Sequence, residues 1–195
     1  FLYESRQHKR TSRESLDCAI ALQELVKMGV DNIITFDAHD PRVQNAIPLN
    51  GFETGSATYQ FIKNLLRTDP DLQIDSEGGM GRAIYMANVL GLDMGMFYKR
   101  RDYTRVVNGH NPIVAHEFLG SNVEGKDMII VDDMISSGES VLEVAAAIKQ
   151  RGARKIFICT TFGLFTNGFD KFDKAFESGT IDRVLTTNLI YQPAE

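Results

Sequence analysis

Apolar residues in this chain fall alternately into short continuous runs and into helical stripes, the pattern of strands and helices taken in turn. Leu16, Ile20, Leu22 and Leu25 form a first helical stripe, which a capping box of Thr11 with Glu14 opens and Gly29 stops. A strand is expected over residues 33–36. Ala57, Phe61, Ile62, Leu65 and Leu66 mark a second helix, and residues 84–90 a third that Gly91 ends. Further strands are expected over 94–98, 113–118, 128–131, 156–161 and 183–187, with Asn108-Gly109 as a hairpin turn between the first two of these. Val141, Leu142, Val144, Ala145 and Ile148 give another helical stripe just beyond the strand 128–131. The expected fold class is therefore α/β, with a mainly parallel sheet flanked by helices and one inserted hairpin.

Composition narrows the picture only a little. The 195 residues are 43% hydrophobic and carry a net charge of -5, enough for one or two compact α/β units. The acidic balance and the shortness of the basic clusters argue against nucleic acid as the main partner. The longest apolar runs are strand-sized, so no membrane span is expected, and no secretory signal is visible, although the chain begins at Phe1 without a methionine. Cys18 falls in an amphipathic helix and Cys159 at the end of an apolar run, so both are expected as reduced core thiols. A cytoplasmic enzyme is the class these features predict.

Chemistry concentrates in residues 128–140, which read Met-Ile-Ile-Val-Asp-Asp-Met-Ile-Ser-Ser-Gly-Glu-Ser. A buried strand runs into two carboxylates, then into a small-residue loop that opens a helix. Backbone amides of Ser137, Gly138, Glu139 and Ser140 at a helix start can face a phosphate, aided by the helix dipole and by the hydroxyls of Ser136, Ser137 and Ser140. Asp132 and Asp133 can accept hydrogen bonds from vicinal sugar hydroxyls or hold a cation. The plainer alternative is an acidic strand end followed by an ordinary helix cap. Three other clusters matter. Phe36-Asp37-Ala38-His39-Asp40 sets His39 and its flanking acids at a strand's C-terminal end, as a metal or phosphate contact or as a histidine satisfied by the turn. Tyr98-Lys99-Arg100-Arg101-Asp102 is either a solvated surface or a hairpin tip that closes over polyphosphate. Arg6-Gln7-His8-Lys9-Arg10 alone reads as a surface arm.

Taken together, the order of these clusters resembles a known family. Residues 128–140 are similar to the phosphoribosyl-pyrophosphate loop of the type I phosphoribosyltransferase fold. Tyr3-Glu4-Ser5-Arg6-Gln7, residues 33–40, Gly78-Gly79-Met80-Gly81-Arg82, Lys99-Arg100-Arg101, residues 131–140, Thr160-Thr161-Phe162-Gly163-Leu164-Phe165 and Thr186-Thr187-Asn188 follow the order found in the ribose-phosphate pyrophosphokinases. The resemblance spans essentially the whole chain and is strongest to a divergent bacterial branch. It implies Mg²⁺-dependent transfer of the diphosphate of ATP to the anomeric hydroxyl of ribose 5-phosphate, giving phosphoribosyl pyrophosphate and AMP. It implies that Arg6 and Gln7 contact adenine, with His8 standing where an acid is common, and that His39 contacts the Mg-ATP phosphates and metal. Lys99 and Arg101 would be the basic pair of a mobile catalytic loop. Asp132, Asp133, Ser136, Ser137, Gly138, Glu139 and Ser140 would form the ribose 5-phosphate site.

The same resemblance implies two similar domains, residues 1–50 being the later part of the first and 51–195 most of the second. Homo-oligomers, often hexameric, with ADP and phosphate as effectors are the family's habit. Two departures stand out. The family's earlier portion, with an acidic ATP-contacting loop supplied across a subunit interface, is absent from this sequence. The family also carries an apolar strand and a Ser-Pro-Asp element just before its glycine pair, whereas residues 72–77 here run directly into Gly78-Gly79, so a buried sheet strand is expected to be missing at that point. Two other classes remain open: a phosphoribosyltransferase that consumes phosphoribosyl pyrophosphate, which leaves Lys99, Arg101, Arg6 and Gln7 without a role, and a non-catalytic regulatory relative.

Overall fold

The computed structural model describes residues 7, 13–69, 74–78, 80–90, 94–101, 113–120 and 122–191, with the backbone alone for 74–78, 80–83, 94, 96–101 and 113–119. The chain divides into two compact units, one ending at Tyr59 and the other beginning at Gln60.

In the first unit, helix α1 (Asp17–Lys27) precedes strand β1 (Asn32–Phe36), a 3-10 segment (Pro41–Ala46) and strand β2 (Gly51–Gly55). The helix begins later than its sequence pattern predicts. Leu16 occupies the cap position without a side-chain hydrogen bond, Glu14 stands outside the helix, and Thr11 lies outside the described residues. Its buried face is correspondingly different: Cys18, Ala19 and Leu22 are inside, while Ile20 is 52% exposed. The expected stop is present. Gly29 adopts φ 95°, its N–H donates to the Val26 carbonyl at 3.0 Å, and the Val30 N–H donates to the Leu25 carbonyl at 3.1 Å. That crossed pair of bonds closes the helix end and requires a left-handed residue, which glycine adopts without steric cost. Cys18, Leu22, Val43 and Ile47 form this unit's core, with Val26, Ile33 and Phe52 against it.

Strand β2 runs parallel to β1, with Asn32 opposite Gly51 and Phe36 opposite Gly55. Residues 51–55 therefore belong with the first unit, and the boundary expected at residue 50 falls instead after Tyr59. Only Phe52 in Gly-Phe-Glu-Thr-Gly is apolar, so hydrophobic pattern alone gives no strand signal there, and the ladder from β1 supplies the order.

The second unit carries a six-stranded sheet in the order β5-β4-β3-β6-β7-β8. Its strands are β3 (Ile74–Gly78), β4 (Met94–Arg101), β5 (Ile113–Leu119), β6 (Asp127–Ile135), β7 (Ile156–Gly163) and β8 (Arg183–Thr186). Helices α2 (Thr58–Thr68), α3 (Met80–Leu90), α4 (Glu139–Gln150) and α5 (Asp170–Glu177) complete the chain. All neighbours pair in parallel except β4 with β5. The mainly parallel α/β architecture is thus as the sequence implies, and β4 with β5 is the antiparallel pair foreseen around Asn108-Gly109, a turn that itself lies outside the described residues.

Strand β3 corrects the expectation of a missing strand. Ile-Asp-Ser-Glu-Gly is too polar to announce itself, yet it pairs with β4 on one side and with β6 from Ile74↔Asp127 to Gly78↔Val131 on the other. Its backbone groups are satisfied from both flanks, which offsets its weak intrinsic preference. Helix α5 also lacks a sequence forecast, because a single buried residue, Phe172, anchors an otherwise charged segment. The core beneath α4 joins Met128, Ile130, Ile156 and Ile158 from the sheet to Val141, Ala145 and Ile148 from the helix, with Phe172 and Ile181 closing it. No helix among the described residues is long and apolar enough to cross a membrane.

Candidate functional site

Strand order places the site. The chain moves outward from β3 through β4 to β5, then returns to β6 on the opposite flank of β3 and continues outward through β7 to β8. The sheet therefore reverses direction between β3 and β6. In open α/β sheets such a reversal leaves a crevice at the carboxyl ends of the strands, where ligands bind.

Strand β6 overruns β3 at that point. Its ladder to β3 ends at Gly78↔Val131, while its ladder to β7 continues from Asp132↔Thr160 to Ile135↔Gly163. Asp132 and Asp133 accordingly lie within the strand, not at its end as the apolar run 128–131 implies, because β7 carries the hydrogen-bonding forward. Asp132 is half-buried and Asp133 is buried. The Asp133 N–H donates to Asp132 Oδ1 at 2.9 Å, which holds one carboxylate oxygen of the pair in a set position.

The loop after β6 is equally well held. The Leu164 N–H donates to the Ile135 carbonyl at 2.9 Å and the Thr166 N–H to the Ser136 carbonyl at 3.0 Å, so the turn after β7 braces the loop from outside. Gly138 adopts φ 81° at the cap of α4, and a Cβ there would stand 2.5 Å from the Phe172 ring. Both facts demand glycine. The Leu142 N–H donates back to the Gly138 carbonyl at 3.0 Å, so α4 opens at this loop, and the dipole at that helix end favours an anion. Glu139 would oppose an anion, but its Oε1 is paired with Lys171 Nζ of α5 at 2.5 Å. The hydrogen bond from that ammonium, with its charge, lowers the Glu139 pKa. Asp132, Asp133, Ser136, Ser137, Gly138, Glu139 and Ser140 are therefore one contiguous group. Lys171 and Phe172, which arrange it from α5, have no motif in the sequence.

In the first unit, Gln7 meets the loop after β1. Gln7 is buried, and its Oε1 accepts the Asp40 N–H at 2.7 Å. Asp37 adopts φ 43° and its N–H donates to the Gly55 carbonyl at 2.8 Å, while the Ala38 N–H donates to Thr54 Oγ1 at 3.1 Å. An aspartate tolerates that left-handed conformation better than most residues. His39 is exposed on this braced loop. Asp40 is committed elsewhere: it caps the 3-10 segment through the Arg42 N–H at 3.0 Å and pairs with the Arg42 guanidinium at 2.5 Å. Gln7 and His39 are thus brought to one loop, and Arg6 lies outside the described residues.

Lys99 and Arg101 are on β4 itself, opposite His116 and Ile113 of β5, with a register irregularity between Arg100 and Arg101. The cluster therefore extends the strand, whereas the sequence reading sets it after a strand ending at residue 98. Antiparallel pairing with β5 accounts for the extension. Among the described residues, no group of three or more His, Cys, Asp and Glu side chains is placed to hold a metal ion.

A model of the phosphoribosyl transferase domain matches residues 76–190. Ribose-phosphate pyrophosphokinase of Mycoplasma genitalium is 30% identical over 194 residues, which cover 97% of this chain and 56% of that protein. Its counterpart in Mycoplasmopsis pulmonis is 30% identical over 196 residues, covering 96% of this chain and 56% of that protein. Among solved structures, phosphoribosylpyrophosphate synthetase from Mycobacterium smegmatis shares the fold with a TM-score of 0.76 at 22% identity, covering 96% of this chain and 59% of that one. The chain spans a little more than half the length of these relatives. With its sheet, its braced strand-loop-helix site and more than half its residues matching that domain, the chain belongs to the phosphoribosyl transferase domain family and is similar within it to ribose-phosphate pyrophosphokinases.

Proposed function

We propose that this protein transfers the diphosphate of ATP to the anomeric hydroxyl of ribose 5-phosphate. The observation that supports this reading best is the loop at the sheet's reversal point, where a left-handed Gly138 opens α4 and the Glu139 charge is drawn off by Lys171. An anion-ready helix start just beyond a carboxylate pair suits a sugar carrying both a phosphate and a vicinal diol. Ser136, Ser137, Gly138, Glu139 and Ser140 take the 5-phosphate. Asp132 and Asp133 accept hydrogen bonds from the ribose hydroxyls.

In the reaction the anomeric oxygen bonds to the β-phosphorus of ATP as the bond from that phosphorus to the oxygen shared with the α-phosphorus breaks; AMP leaves, and the hydroxyl proton is released to solvent. Such transfers depend on in-line positioning and on neutralising charge. Lys99 and Arg101 supply positive charge to the transferring diphosphate, Arg6 and Gln7 hold adenine, and His39 contacts the nucleotide phosphates and their metal. Mg²⁺ takes oxygen ligands and is ordinarily held by one or two carboxylates together with substrate phosphates, so the carboxylate donors Asp132 and Asp133 are of a suitable chemical kind, and no all-protein cage is needed. When bound it offsets phosphate charge. A cytoplasmic homo-oligomer, with hexamers and ADP or phosphate control as in the resembling family, completes the reading.

Calorimetry with ribose 5-phosphate tests the central assignment. The unsubstituted protein is expected to bind it, and Ser137→Asp is expected to abolish binding through repulsion at the helix start while the thermal unfolding profile is retained, since the position is on a loop. Equal affinities for the two proteins would reduce residues 136–140 to a helix cap.

A further inference from the structure

We infer that Thr160 is a positioning residue for Asp132, its buried hydroxyl held in reserve to orient that carboxylate when a ribose diol is bound. The inference rests on the reading of Asp132 as a ribose contact and extends it to a residue that touches no substrate.

Thr160 lies on β7 and is fully buried, yet its Oγ1 has no hydrogen-bond partner. An unsatisfied buried hydroxyl is costly, and most such groups in folded proteins are paired. The remainder of the strand explains why its presence is notable: Ile156, Phe157, Ile158 and Cys159 before it are buried and apolar, and a valine would fill the same volume without that cost. The position of the orphan is informative. Thr160 is the direct register partner of Asp132 on β6, and side chains of register partners on adjacent parallel strands stand on the same face about 5 Å apart. A rotation about one side-chain bond therefore carries the hydroxyl proton toward the carboxylate. It is also the first residue of β7 whose partner on β6 lies past the end of β3, at the opening of the crevice.

A donor beside a carboxylate sharpens diol recognition. Asp132 Oδ1 accepts the Asp133 N–H, and an added hydrogen bond from Thr160 would help fix the plane of the carboxylate toward the ribose hydroxyls. The hydroxyl is then satisfied in the bound state and unsatisfied in the free one.

Thr160→Val and Thr160→Ser in the protein provide the test, with calorimetry against ribose 5-phosphate and 2-deoxyribose 5-phosphate and a thermal melt of each free protein. Thr160→Val should raise the melting temperature of the free protein by roughly 2–4 °C, because it removes an unsatisfied polar group. It should also cut the preference for ribose 5-phosphate over its 2-deoxy analogue by about tenfold, in line with a hydrogen bond to a charged group. Thr160→Ser should keep the preference within about twofold of the unsubstituted protein. A merely structural role would change stability and leave the preference alone. An unchanged preference in Thr160→Val, or equal loss in Thr160→Ser, would overturn the inference while leaving the functional reading intact. Failure of the unsubstituted protein to bind ribose 5-phosphate would overturn both.

Discussion

Gly138 is the residue on which the site's shape most depends. Its φ of 81° is unfavourable for any residue with a Cβ, and that atom would meet the buried Phe172 ring at 2.5 Å. Gly138→Ala should lower unfolding free energy by about 2 kcal/mol, roughly half from the backbone and the rest from displacing the ring. Urea melts check this, and Phe172→Leu in the same chain should recover part of the loss. The two thiols behave differently. Burial raises Cys18 to about 11 and Cys159 to about 12, from an ordinary 9.0. Both thus hold their protons more tightly when folded than unfolded, so their contribution is complete below pH 9 and declines as pH rises beyond it. Neither should react with a thiol reagent at pH 8 until denaturant is added, and stability should begin to fall above pH 9. Labelling of either cysteine in the native protein would contradict its burial.

Among the elements, β6 depends on a pairing at its foot. Asp127 is fully buried at the strand's first position and receives both Nε and Nη2 of Arg154, at 2.7 and 2.5 Å. Arg154→Met leaves that carboxylate inside without its fork of donors and should cost about 2–3 kcal/mol, less than for a fully buried pair because Arg154 is 46% exposed. Arg154→Lys should recover little, since a point charge does not reproduce two parallel hydrogen bonds. Chemical denaturation of the three proteins decides the matter. At this scale the long amphipathic stripe of α4 and the apolar runs of β6 and β7 are legible as sequence, because burial on their own residues drives them. Strands β2 and β3 are not, because neighbouring ladders order them rather than their own apolar content.

For the whole molecule, the two units differ in what supports them. Among the described residues the first unit's sheet is β1 and β2, with Ile34 73% exposed, whereas β6 and β7 lie inside a six-stranded sheet and are almost wholly buried. A two-stranded sheet has little independent stability. Native-state hydrogen exchange should therefore show the amides of β1 and β2 exchanging through local opening, while those of Ile129, Ile130, Ile158 and Cys159 exchange close to the global unfolding limit. Equal protection in the two sheets would contradict this. By itself the sequence determined the α/β class, the main helices, the buried strands and the contiguous group from Asp132 to Ser140, because each follows from local periodicity, turn chemistry or residue type. Only the tertiary structure decided that Ile74–Gly78 is a strand, that the boundary follows Tyr59, that Lys171 turns the Glu139 charge aside and that Thr160 stands beside Asp132. These depend on pairings between segments distant along the chain, and such pairings leave no periodicity to read.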